Sequence, residues 1–245
     1  MITVRRAEER HRHGRGKREA WLTFDPKNRA DPFADGFGTL EILEESRLPP
    51  AAGIPRQSRH EAEIVTYVRE GALAYEDSTG HTGVVQAGEF HRMTAGRGFR
   101  HGETNVSRTD SAHVFQLWLR SASPGLEPDH RQKRFSVAER RSRLCLVASP
   151  DGRRGSLPIH QDARIYSAIL DLGQHLVHEL SEGRSAWLHL VRGEVTLDDT
   201  VLTTGDGAGF SGERAISLTA REESEILLFD LGELLPGSPR ENERS

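Results

Sequence analysis

Cysteine is nearly missing from this chain. Its 245 residues include one, Cys145 in RLCLVAS, which excludes an intramolecular disulfide and permits a reducing compartment. The apolar run around it predicts that the thiol packs as a small hydrophobe. An excess of one charge is missing too: Lys and Arg number 33 against 37 Asp and Glu, a net of -4, so nothing global draws the protein to nucleic acid or an anionic membrane. No apolar stretch approaches a membrane span, and the first residues lack the apolar core of a secretory signal. The expectation is a cytoplasmic protein without membrane partners. Helical periodicity is scarce as well, with one short turn predicted near Phe135 to Arg141, FSVAERR.

Short alternating or β-branched runs punctuated by Gly and Pro fill the space that helices leave. GTLEILEESRL, EIVTYVREGALAYED, HVFQLWLRS, RIYSAILDL, SAWLHLVRGEVTLDD, AISLTA and EILLFDL all read as strands, so the predicted fold class is all-β. A composition of 35% hydrophobic and 29% charged residues supports one large core or two smaller ones. The segment from Ile64, IVTYVREGALAYEDSTGHTGVVQAGEF, and the segment from Trp187, WLHLVRGEVTLDDTVLTTGDGAGF, share an apolar strand ending in Val-Arg, a Gly turn, an outgoing strand and a Gly-acid turn. That self-similarity predicts two tandem small barrels. The Gly-, Pro- and charge-rich SPDGRRGSLPIHQD divides them, giving domains over 1–150 and 151–235 with a loose tail over 236–245.

The basic segment RRAEERHRHGRGKR, residues 5–18, has the charge of a phosphate-binding arm. Glu8, Glu9 and the following Glu19 dilute it and no aromatics interleave for base stacking, so it reads as a solvated or pocket-rim segment with no nucleic-acid partner. GRGFRHG lacks the spacing and following helix of a nucleotide loop, and HEAE has no second His at helical spacing. His175 and His178 read as structural, and His160 as a hydrogen-bonded residue of the connection.

MTAGRGFRHGETN carries the chemistry. His101 and Glu103 are two apart, so a strand turns both to one face, and Gly96 and Gly98 permit a tight approach just before them. An imidazole and a carboxylate on one face are half of a transition-metal site.

The stretch from EIVTYV to RHGETN resembles the pirin family of bicupins, especially its bacterial quercetinase-like branch. WLTFDP, GFGTLEILEES, FQLWL, KRFSV, SPDGRRGSLPIHQD and SEILLFDL are similar to further segments of that family. The resemblance implies two cupin barrels and a monomer. It also implies one metal in the first barrel, iron or another divalent transition ion such as Zn, Ni, Cu or Mn, and none in the second. Its ligands are three His and one Glu, and several relatives open flavonols such as quercetin with dioxygen.

By position, His101 and Glu103 match the last two ligands, with Glu103 as the catalytic group that takes a phenolic proton and His91 lining the pocket. The first two ligands, a His-x-His ahead of Glu63, fall on Gln57 and Arg59. Arg is a poor ligand but can bridge a carboxylate, so Arg59 is expected to pair with Glu103 while Gln57 and His101 complete a polar network. His60 has the wrong strand parity to replace a ligand. Two expectations result. One is a metal-free or metal-weak bicupin that binds a flavonol-like or anionic small molecule, or a protein partner, in a regulatory role. The other is a dioxygenase with a non-standard ligand set.

Overall fold

Apolar alternation becomes strand nearly everywhere it occurs. The computed structural model describes residues 1–14 and 17–233, apart from the side chains of Pro55, Arg56, Gln57, Arg59 and Phe99; the tail expected over 236–245 lies outside the described residues. The first large sheet runs Asp129–Arg134, Glu89–Thr94, Ala62–Glu70, Ala112–Arg120, Leu40–Leu48, Glu19–Leu22, His11–His13. A four-stranded sheet of Gly53–Arg59, Phe99–Asn105, Ala72–Asp77 and Thr82–Gln86 faces it and closes the first barrel. The second large sheet runs Ile2–Arg5, Gly207–Ser211, Ser185–Arg192, Ser224–Leu231, Ala163–Leu170, Cys145–Ser149, Leu157–Pro158. Its four-stranded partner is His175–Glu179, Ala215–Ala220, Glu194–Leu197 and Thr200–Thr203.

The two halves correspond strand for strand, as the internal repeat implies. Ala62–Glu70 and Ser185–Arg192 hold equivalent central places, and Phe99–Asn105 corresponds to Ala215–Ala220. The edge place that Asp129–Arg134 fills in the first barrel is filled in the second by Ile2–Arg5, from the start of the chain, paired with Gly207–Ser211. Cys145–Ser149 also joins the second sheet, just ahead of residue 150. The predicted helical turn is present at Val137–Arg140. Ser136 caps it: its hydroxyl accepts from the Glu139 N–H, and the Glu139 carboxylate accepts from the Ser136 N–H. No helix among the described residues is long and apolar enough to cross a membrane.

Strand parity assigns each face of the large sheets a separate task. In Ala62–Glu70 and Ala112–Arg120 the odd positions Val65, Tyr67, Phe115 and Leu117 join Trp187, Leu227 and Phe229 in one core between the barrels. The even positions turn into the first barrel, where Val68 and Val114 meet Ile54, Leu73 and Val85. Within the inter-barrel core, Arg140 donates to the Tyr67 oxygen (2.8 Å) and to Glu225 (2.9 Å), and the Tyr67 hydroxyl donates to Glu225 (2.5 Å). Burial pushes the Tyr67 hydroxyl pKa up, and the Glu225 charge adds to it.

The barrel interiors differ in chemistry. On Ala215–Ala220 the buried positions are Ile216, Leu218 and Ala220, packed with Leu176, Leu188 and Phe210. On the equivalent strand of the first barrel they are His101, Glu103 and Asn105. Only the first interior offers metal-binding or proton-transfer groups at this place.

Candidate binding site inside the first barrel

The approach to the site is set by two glycines with left-handed backbone, Gly96 (φ 47°) and Gly98 (φ 108°). A Cβ at Gly96 would overlap the Leu126 carbonyl, and one at Gly98 would overlap the His60 ring. The turn they make delivers Phe99–Asn105 with His101 and Glu103 on one buried face, 4% and 2% exposed. Backbone pairing sets Gln57 opposite His101 and Arg59 opposite Phe99, with a bulge between His101 and Glu103. The expected Arg59 to Glu103 ion pair and the Gln57 contact rest on side chains outside the described residues. His60 is exposed, with Nδ1 3.3 Å from the Arg97 carbonyl oxygen.

Glu103 has a partner that the sequence did not suggest. Gln116, from Ala112–Arg120, donates its amide N–H to Glu103 Oε2 at 2.6 Å and lies 3.5 Å from the Thr66 hydroxyl. Parity on a strand buried on both faces could have placed Gln116 inside the barrel, because it shares a face with Val114 and Trp118.

His91 is fully buried on the same interior. Tyr75 stacks on its ring at 4.3 Å between centroids, and His91 Nε2 is 3.3 Å from His130 Nδ1. Burial, together with the His130, His101 and Arg92 charges, pushes the His91 pKa down to about 3. His130 Nε2 meets Asp77 Oδ2 at 2.7 Å, and His81 Nδ1 lies 3.8 Å from the same oxygen. Burial would raise the Asp77 pKa, but hydrogen bonds from Thr79, the His81 N–H and His130 outweigh it and hold the carboxyl below its ordinary value. Asp77, His81 and His130 were not marked by sequence reasoning. Asp77 and His81 are four apart in one turn, but His130 comes from a distant strand and nothing in the sequence links it to them.

Several other histidines have local surroundings that explain them. The basic segment folds as the sheet edge His11–His13, with Arg10 on Glu45 (2.7 Å), His13 by Glu44 (3.2 Å) and His11 by Asp25 (3.4 Å). His178 reaches Asp230 at 3.1 Å from the strand His175–Glu179. The ring of His160, expected to be hydrogen-bonded, is exposed; the backbone N–H of that residue turns toward Glu63 instead. A cleft of about 710 Å³ lies on the small sheet, lined by Ile54, Ala74, Tyr75, Glu76, Val84, Glu103 and Thr104.

Comparison with known proteins matches this two-barrel arrangement. The pirin family model matches residues 6–119, and a model described as the quercetinase C-terminal cupin domain matches residues 146–231. The quercetin 2,3-dioxygenase of Escherichia coli strain K12 is 38% identical over 231 residues, covering 94% of this chain and 99% of that protein. A pirin-like protein of Caulobacter vibrioides is 33% identical over 201 residues, covering 82% of this chain and 86% of its own. Among solved structures, YhhW from Escherichia coli superposes with a TM-score of 0.90 at 37% identity over 96% of this chain and 99% of that one. The same bacterial pirin in complex with nickel(II) gives 0.89 at 37% identity, covering 96% and 100%.

Proposed function

The chain belongs to the pirin family, and from that premise we propose that it is a bicupin that binds a small molecule inside its first barrel without a metal at the family's usual position. The observation that carries the reading is the identity of the four positions where the family resemblance puts ligands. His101 and Glu103 offer donors, but Gln57 offers only an amide, and Arg59 brings a fixed positive charge and no lone pair. Two donors, one of them already accepting from Gln116, do not fit a mononuclear transition ion.

The groups around that position are mixed: Ile54, Leu73, Val85 and Val114 are buried and apolar, and Glu103, Gln116 and His101 are buried and polar. A flavonol-like or anionic molecule matches that mixture, with Glu103 positioned to accept a phenolic proton.

The second reading is a dioxygenase with a non-standard ligand set. It is favoured by the near full-length likeness to a quercetin 2,3-dioxygenase and to a nickel-bound pirin. In that reading a divalent ion would polarise substrate oxygens when bound.

Quercetin titration and turnover separate the two. Chelator-treated protein should bind the flavonol without consuming it, and Gln57→His with Arg59→His should add one metal equivalent at the Glu103 position, which Glu103→Gln removes. Quercetin turnover by the wild-type chain that depends on both added metal and Glu103 would establish the dioxygenase and overturn the first reading.

A further inference from the structure

We propose that Asp77, His81 and His130 form a divalent transition-metal site at the mouth of the first barrel, one strand away from the position that the family uses. The three side chains present one donor atom each, and those atoms all lie within 4.8 Å of one another. Asp77 Oδ2 is 2.7 Å from His130 Nε2 and 3.8 Å from His81 Nδ1. Ligands bound to one ion at about 2.1 Å stand roughly 3 to 3.5 Å apart, so those two separations bracket what an ion requires.

The surroundings orient the donors. Asp77 Oδ1 accepts from the Thr79 N–H (2.8 Å), the Thr79 hydroxyl (2.6 Å) and the His81 N–H (3.0 Å), which fixes the carboxylate and leaves Oδ2 for His130 Nε2, while His81 Nδ1 lies 2.7 Å from the Thr79 hydroxyl oxygen. His130 presents Nε2 to Asp77 and turns Nδ1 to His91 Nε2, the arrangement in which a metal-bound imidazole passes its second ring nitrogen to an outer partner. Tyr75 stacks on both His91 and His130, at interplanar angles of 19° and 9°, and limits rotation of either ring. His81 is 66% exposed while Asp77 is buried, so an ion has a path from solvent to the carboxylate.

Two imidazoles and a carboxylate favour zinc, nickel or cobalt over magnesium or calcium. The site uses neither His101 nor Glu103, although the Phe99–Asn105 strand pairs with Ala72–Asp77 so that Asp77 lies opposite His101, two residues before Glu103.

The test is calorimetric titration of the full chain with ZnCl2 and NiCl2, with CoCl2 absorbance as a second readout. One equivalent should bind, with the visible cobalt bands of imidazole coordination. His81→Ala changes an exposed side chain and should leave folding intact, yet it should weaken binding at least 10-fold; His130→Gln should weaken it similarly, and Glu103→Gln should leave the stoichiometry at one. Failure of all three ions to bind the wild-type chain would overturn the assignment. So would binding that survives His81→Ala combined with His130→Gln, or binding lost on Glu103→Gln alone.

Discussion

Glu63 is wholly buried, and its carboxyl is pushed up to about 7 by burial, which the Thr94 hydroxyl, the Arg92 charge and the His160 N–H only partly offset and the Asp129 charge reinforces. Neither oxygen closes a well-aligned hydrogen bond. An unfolded chain releases this proton near the ordinary glutamate value of 4.5, so between there and about 7 the folded state holds a proton that the unfolded state has lost. Stability contributed by the neutral carboxyl is therefore full below that window and declines as pH rises through it. The protein should lose about 3 kcal/mol across the window relative to Glu63→Gln, as read from denaturant melts at pH 4 and pH 8. At this scale the sequence was legible where two residues share a strand face, as with His101 and Glu103. It was not legible for the Gln116–Glu103 or Asp77–His130 contacts, whose members sit on different strands and meet only when the sheets pair and the barrel closes.

Among the structural elements, the repeated hairpins were readable because apolar alternation and Gly turns are local properties. Ile2–Arg5 was not, since ITVR is short, runs into arginines and finds its partner in Gly207–Ser211 at the far end of the sequence. The Gly96–Gly98 turn is the element on which the site most depends, because it aims the whole strand that bears His101 and Glu103. Gly96→Ala should destabilise the protein by about 2 kcal/mol or more, as left-handed backbone strain adds to overlap with the Leu126 carbonyl. Thermal denaturation of the variant checks this, and an unchanged melting temperature would contradict the packing described for the turn.

For the molecule as a whole, two barrels of the same topology share one apolar core, and the Arg140, Tyr67 and Glu225 network sits within it. Arg140→Met removes the cation from a buried acid and should cost about 3 to 5 kcal/mol, observed as a lower midpoint in a single transition that both barrels share. The duplication also explains why fold outran chemistry in the sequence: both halves needed only the strand pattern, whereas the site depends on which interior positions became polar. Ile216 and Leu218 occupy one interior, and His101 and Glu103 the other. The central claim, that Gln57 and Arg59 have ended metal binding at the Glu103 position, is tested most directly by nickel titration in a His81→Ala, His130→Gln background. The account predicts no binding in that background, and one equivalent once Gln57→His and Arg59→His are added. One equivalent bound before those changes, and lost on Glu103→Gln, would contradict it.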